Sequence, residues 1–190
     1  MTTANANEQW KLIEGYEVSN LGFVRNRNTQ KFKKLFIREN GYFYVHLWKN
    51  GKNYTKTVNR LVAMAFIENP SNLPLVDHID GNKQNNRVEN LRWCTHSQNN
   101  TNTKINSKNT TGIKGVSWNK NNKKYHAQIS LNNKQYHLGY FDSLKEAGFV
   151  YEFFSLLLFK EFAKITKKFN QYYSKELFEK IKEIINHYEL

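Results

Sequence analysis

Cysteine, proline and aspartate are all scarce in this chain. Its 190 residues include one cysteine, two prolines and three aspartates. The single Cys94 excludes an internal disulfide framework and any zinc site built from several cysteines. Long apolar runs are missing too. FFSLLLF at 153–159 is far short of the ~20 residues that span a bilayer. The N-terminal MTTANANEQW lacks the basic-then-apolar pattern of a secretory signal. These absences predict a soluble, intracellular protein with no membrane partner. Acidic side chains are also few, 16 against 29 lysines and arginines, for a formal net charge of +13. The excess is uneven: residues 1–142 hold 21 basic and 9 acidic side chains, a net of +12, and residues 143–190 carry only +1. A charge this large favours a polyanionic partner. Lysines outnumber arginines 23 to 6, so attraction to phosphates should outweigh guanine readout, which arginine performs better.

What is present is rich in strand signals. Residues 1–9 are polar and read as frayed. WKLIEGYEVSNLGFVRN (10–26) alternates apolar and polar residues around Gly15 and Gly22, as two short strands and a turn do. GYFYVHLWKNGKNYTKTV (41–58) flanks Asn50-Gly51 with aromatic and β-branched runs, the signal of a type I′ hairpin. NRLVAMAFI (59–67) changes to a helical pattern with Asn59 as cap and Leu61, Met64 and Ala65 on one face. Pro70 and Pro74 bracket a connection into VDHIDGNKQNNRVENLRWCTHSQNN (76–100). That segment reads as a strand ending near His78, a polar loop, NLRWCT, and a helix from about Thr95 to Asn102. TNTKINSKNTTG reads as a linker. GIKGVSWNKNNKKYHAQISLNNKQYHLGYFDS (112–143) reads as three strands. A helix capped at Ser143 with Glu146 three residues on follows it, and an amphipathic helix capped at Ser174 closes the chain. The resulting division is 1–74, 75–103, a linker at 104–111, 112–170, and 171–190.

Two of the three aspartates flank His78. Hydrolysis of a phosphodiester with metal assistance needs a hard cation on the phosphate and a base for the water. Oxygen ligands suit magnesium or manganese, and neutral imidazole suits the base. Residues 76–100 bring a carboxylate, an imidazole and amide oxygens into one compact stretch. On a regular strand Asp77 and His78 point to opposite faces, so a shared site requires the strand to end or bend there. Asp80 reads as a turn former, and Cys94 and Trp93 as small-core residues.

DHIDGNKQNNRVENLRW followed by THSQNN resembles the HNH nuclease motif of phage and mobile-element homing endonucleases. The resemblance implies an α+β fold with a ββα-metal finger flanked by small DNA-binding modules. It implies one divalent ion, Mg²⁺ or Mn²⁺, held by Asp77 and Asn99, with His78 as general base and Asn90 fixing the loop. At the third position an amide stands where histidine is usual, and His96 and Asn100 lie within one turn of it.

The preceding stretch, roughly residues 8–70, resembles the modular segment found before such cores. Arg25, Arg27, Lys31, Lys33 and Lys34 cluster there as phosphate contacts. Residues 112–170 resemble the three-strand-plus-helix DNA-binding domain of plant ethylene-response factors, carried by GVSW, YHAQI and YHLGYFDSLKEAGFVYE. That likeness implies a three-stranded antiparallel sheet packed on a helix and read into the major groove. Alternation then turns Tyr125, Ala127 and Ile129 inward. It turns Ser117, Asn119, His126, Gln128, Ser130, Gln135 and His137 outward as the DNA-binding face.

The expectation is a site-directed, metal-dependent DNA endonuclease, leaving 5′-phosphate and 3′-hydroxyl ends on double-stranded DNA, as a monomer or homodimer. The rival is a non-catalytic DNA-binding regulator that keeps the finger as scaffold. An RNA-binding protein ranks last, for want of an aromatic stacking platform in the sequence.

Overall fold

Short alternating segments joined by glycine and asparagine turns build small antiparallel sheets, not one large one. The computed structural model describes residues 7–163 and 174–189. The fraying expected of residues 1–6 and the end of the expected 112–170 segment lie outside the described residues. The chain is α+β and divides into two compact units, Met1–Thr95 and His96–Leu190.

In the first unit β1 (Trp10–Ile13), β2 (Tyr16–Ser19) and β3 (Val24–Asn26) form one meander. A second joins β4 (Leu35–Ile37), β5 (Phe43–Lys49) and β6 (Lys52–Thr57). Asn50 and Gly51 both take positive φ, 51° and 73°, the geometry of a two-residue I′ turn. Strand β5 shows the period of two: Val45 and Leu47 are buried, whereas His46 and Trp48 are exposed. Helix α1 (Val58–Phe66) covers the inner faces with Val58, Leu61, Val62 and Ala63. Two helix expectations are corrected here. The cap is Thr57, not Asn59; Asn59 sits inside the first turn, and its side chain donates to the Val76 carbonyl at 3.4 Å. Met64 is 42% exposed, because with Val58, Leu61 and Val62 inward, position 64 rotates away from the core. Strands β7 (Leu75–His78) and β8 (Leu91–Cys94) make a two-stranded sheet whose Val76, Leu91 and Trp93 join the same core.

The second unit begins with α2 (His96–Asn102). The ammonium of Lys114 satisfies the orphan carbonyls at its end, donating to those of Asn100, Thr101 and Thr103, as a cation at a helix C-terminus does. Within the segment read as a linker, Asn109 and Thr111 knot the chain by side-chain bonds to the carbonyls of Ile113 and Val116. Strands β9 (Val116–Asn119), β10 (Lys124–Leu131) and β11 (Lys134–Phe141) pair in the order β11-β10-β9. Helix α3 (Leu144–Phe159), capped by Ser143, packs on them through Val150, Tyr151 and Phe154. Helix α4 (Lys175–Tyr188), capped by Ser174, buries Leu177 and Ile181. Its Tyr188 hydroxyl bonds both backbone groups of His137 at 3.2 and 3.1 Å, closing part of the β11 edge.

Gly115 lies where β9 begins, at φ +69°, and an added Cβ would stand 2.1 Å from the Tyr151 ring and 2.6 Å from the Gln128 carbonyl. Gly115→Ala therefore combines left-handed strain with overpacking against backbone. It should lower stability by about 3 kcal/mol, read as a shift of the urea midpoint followed by circular dichroism.

Candidate active site

The β7–β8 register sets the site. Asp77 pairs with Arg92, and His78 with Leu91. Strand β7 stops at His78: the Gly81 N–H closes a turn on the His78 carbonyl at 2.8 Å, and the Ile79 N–H donates to the Asn90 carbonyl at 2.9 Å. The chain thus bends directly after the Asp77-His78 pair. Both side chains are buried, at 5% and 3% exposure.

Burial of a carboxylate requires a partner. Arg92 supplies it: Nε and Nη2 lie 3.0 and 2.9 Å from Asp77 Oδ2. Across the β7 end, His78 Nε2 lies 3.1 Å from Asn86 Oδ1. The Asn86 amide nitrogen donates to the Gln84 carbonyl at 3.3 Å, so its oxygen faces the ring and accepts. The ring proton therefore sits on Nε2 and the lone pair on Nδ1. The Tyr42 ring lies over the imidazole at 5.7 Å. Burial pushes the His78 pKa below its ordinary 6.5, only partly offset by the Asn86 bond and the carboxylates of Asp77 and Asp80. The imidazole is neutral at physiological pH.

The loop is held by asparagines. Asn90 Nδ2 donates to Asp80 Oδ1 at 2.9 Å and to the Asn85 carbonyl at 2.8 Å, while its Oδ1 accepts from the Asp80 N–H at 3.0 Å. Asp80 also accepts from the Asn82 N–H and from Asn85 Nδ2. Burial raises the Asp80 pKa, but these bonds outweigh it and hold the carboxyl below its ordinary value. The N-terminal meander braces the loop: Val88 N–H donates to the Asn20 carbonyl at 2.8 Å. A Cβ on Gly22 would stand 3.0 Å from Asn86 Cβ, so this approach needs glycine.

The structure thus brings Asp77, His78 and Asn90 together. Asn99 lies on α2 in the second unit and is half-buried, between the exposed His96 and Asn100. Sequence reading missed Arg92, Asn86 and Tyr42. Arg92 sits fifteen residues from Asp77 and becomes its neighbour only through the strand register. Among the described residues no group of three or more His, Cys, Asp or Glu could hold a metal ion.

Of the basic cluster, Arg27, Lys31 and Lys34 are exposed. Arg25 is clamped by Glu17 at 2.6 Å and stacked 3.9 Å over Trp10, and Lys33 is half-buried near Tyr16. In the second unit, Ala127 and Ile129 are buried and Ser117, Ser130, Gln135 and His137 exposed. His126 and Gln128 are half-buried, and Asn119 caps the β9–β10 turn by accepting from the Asn121 and Asn122 N–H groups. A bulge between Ala127 and Gln128, opposite Leu138, adds Tyr140 to this face. The rings of His126, His137 and Tyr140 cluster with centroids 4.6 to 5.0 Å apart.

With this geometry established, similarity to known proteins can be stated. Residues 69–101 match the HNH endonuclease family and residues 8–48 the NUMOD4 motif. The chain is 45% identical over 95 residues to the DNA endonuclease I-HmuI of Bacillus phage SP01, covering 48% of this chain and 55% of that protein. An uncharacterized HNH endonuclease of Acanthamoeba polyphaga mimivirus is 45% identical over 84 residues, which is 44% of this chain and 26% of the relative. The chain thus spans about half or less of the length of these relatives. The solved structure describing DNA binding and cleavage by I-HmuI aligns with a TM-score of 0.46 at 43% identity, over 50% of this chain and 56% of that one. No described helix of the HNH-containing chain is long and apolar enough to cross a membrane.

Two outcomes follow from the buried pair and the buried ring. Arg92→Leu strands the Asp77 carboxylate and should cost roughly 3 kcal/mol of stability. Adding Asp77→Asn should recover much of the loss, a non-additivity that urea melts of the double variant would read. For His78, the folded chain resists protonation more than the unfolded chain does. The stability it contributes is intact above pH 6.5 and is lost as pH falls below that value. Between pH 7.5 and 5.5 the parent should therefore lose more stability than His78→Gln; an equal loss would remove this account.

Proposed function

We propose that this chain is a metal-dependent DNA endonuclease of the HNH homing type. The observation that carries the reading is the Asp77-His78 pair at the bend ending β7, with His78 Nε2 3.1 Å from Asn86 Oδ1. That pair falls within the segment matching HNH endonucleases, and a relative is named for DNA cleavage.

The donors around Asp77 suit a hard divalent cation that keeps several waters. The reading takes a carboxylate from Asp77 and an amide oxygen from Asn99. Burial pushes the neighbouring Cys94 thiol up to about 12, so it stays protonated at neutral pH. Asp77 and Asn99 would hold Mg²⁺ or Mn²⁺, and the bound ion supplies Lewis-acid stabilisation of the phosphate and the departing 3′ oxygen. Arg92 holds the buried Asp77 carboxylate in an ion pair. His78 Nδ1 takes the proton of the attacking water, and Asn86 retains the opposite ring proton, which fixes the tautomer. Asn90 holds the loop, and thereby Asn86, in place. The products are a 5′-phosphate and a 3′-hydroxyl.

Arg27, Lys31 and Lys34 contact DNA phosphates, with Arg25 and Lys33 as the supporting edge of that cluster. The outward face of β9–β11 contacts duplex DNA through Ser117, His126, Gln128, Ser130, Gln135 and His137, in the manner of the plant ethylene-response-factor domain, with Asn119 at its turn. A mobile-element origin accords with the phage and viral relatives.

A supercoiled-plasmid assay with magnesium, with and without chelator, tests this reading. His78→Ala should bind duplex DNA normally and cleave at least about a hundredfold more slowly. Undiminished cutting would remove His78 from the mechanism.

A further inference from the structure

The sheet formed by β4, β5 and β6 has an outer face the nuclease reading leaves unused. Strand β5 turns Tyr44, His46 and Trp48 to that side, and Phe36 of β4 pairs with Tyr44 across the ladder. Phe36 and His46 stack with centroids 4.5 Å apart, and Phe36 and Tyr44 at 6.0 Å. Trp48 is 58% exposed. Arg38 lies 4.5 Å from the Tyr44 centroid and 5.8 Å from that of Phe36. Asn53 and Thr55 of β6 pair with Trp48 and His46 and border the rings with hydrogen-bonding groups.

His46 and Trp48 are exposed and Phe36 and Tyr44 half-buried, so the face offers ring surface to a partner. We infer that this face binds an unpaired stretch of DNA, its bases stacked on Trp48 and on the Phe36–His46 pair, its backbone drawn to Arg38. Three observations select this occupant. Aromatic rings offer a duplex little, because its base faces are already stacked, whereas unpaired bases stack on any π-face. Alternate residues of a strand are about 6.8 Å apart, twice the ~3.4 Å step of a stacked DNA strand, so bases laid on this face must be splayed from one another. The first 76 residues carry a net charge of +6 and Arg38 stands among the rings, which favours a polyanion over an apolar protein partner. The choice of DNA over RNA rests on the nuclease reading; the face itself does not.

Full-length protein in EDTA, titrated into fluorescein-labelled oligo(dT), oligo(rU) and a duplex of equal length, tests the inference by anisotropy. Trp48→Ala and Arg38→Ala should each weaken oligo(dT) binding at least about fivefold and leave duplex binding within about twofold. Trp48→Phe should restore most of the loss. Supercoiled-plasmid cleavage by the parent in magnesium, run in parallel, scores failure of the nuclease reading apart from failure of this inference. Unchanged oligo(dT) binding by Trp48→Ala, or equal losses on single strand and duplex, would overturn the inference. A Trp48-dependent preference for oligo(rU) would overturn its assignment to DNA.

Discussion

The four-residue pairing of β7 with β8 is the constraint on which the candidate site depends. It sets Asp77 opposite Arg92, so a buried carboxylate meets a guanidinium across the strand pair. It sets Val76 and Trp93 against the core of the first unit, and that packing in turn holds the register. A slip of one residue would carry Asp77 into the apolar side and expose Val76. Hydrophobic packing and electrostatic pairing thus specify the same alignment.

Past the end of β7 the backbone relies on amides, not apolar contacts. Asp80, Asn82, Asn85 and Asn90 form a connected set of short side-chain bonds, and Asn86 bonds His78 and the Gln84 carbonyl beside it. The crowding of asparagines in the sequence has this physical reason: a short polar side chain can replace missing ladder bonds where the chain turns sharply. The consequence at the imidazole is chemical. Asn86 is both a product of the loop's folding and the group that decides which ring nitrogen carries the proton.

The two remaining surfaces differ in how their rings are gathered. On β5 simple alternation exposes Tyr44, His46 and Trp48. On β11 it would have sent His137 and Tyr140 to opposite faces, three residues apart. The bulge opposite Ala127 and Gln128 inserts one residue, lets Leu138 and Phe141 both point inward, and turns His137 and Tyr140 outward together.

Local chemistry made several features legible in the sequence: the Asn50-Gly51 hairpin, the caps at Ser143 and Ser174, and the nearness of Asp77 to His78 in a turning segment. Each depends on residues within a few positions of one another, where spacing alone restricts the geometry. The cap of α1 at Thr57, the exposure of Met64, the clamp of Glu17 on Arg25 and the partnership of Arg92 with Asp77 were decided by tertiary structure. These depend on which strand lies beside which, and strand neighbours are selected by the burial of whole faces, a quantity that no short window of residues contains.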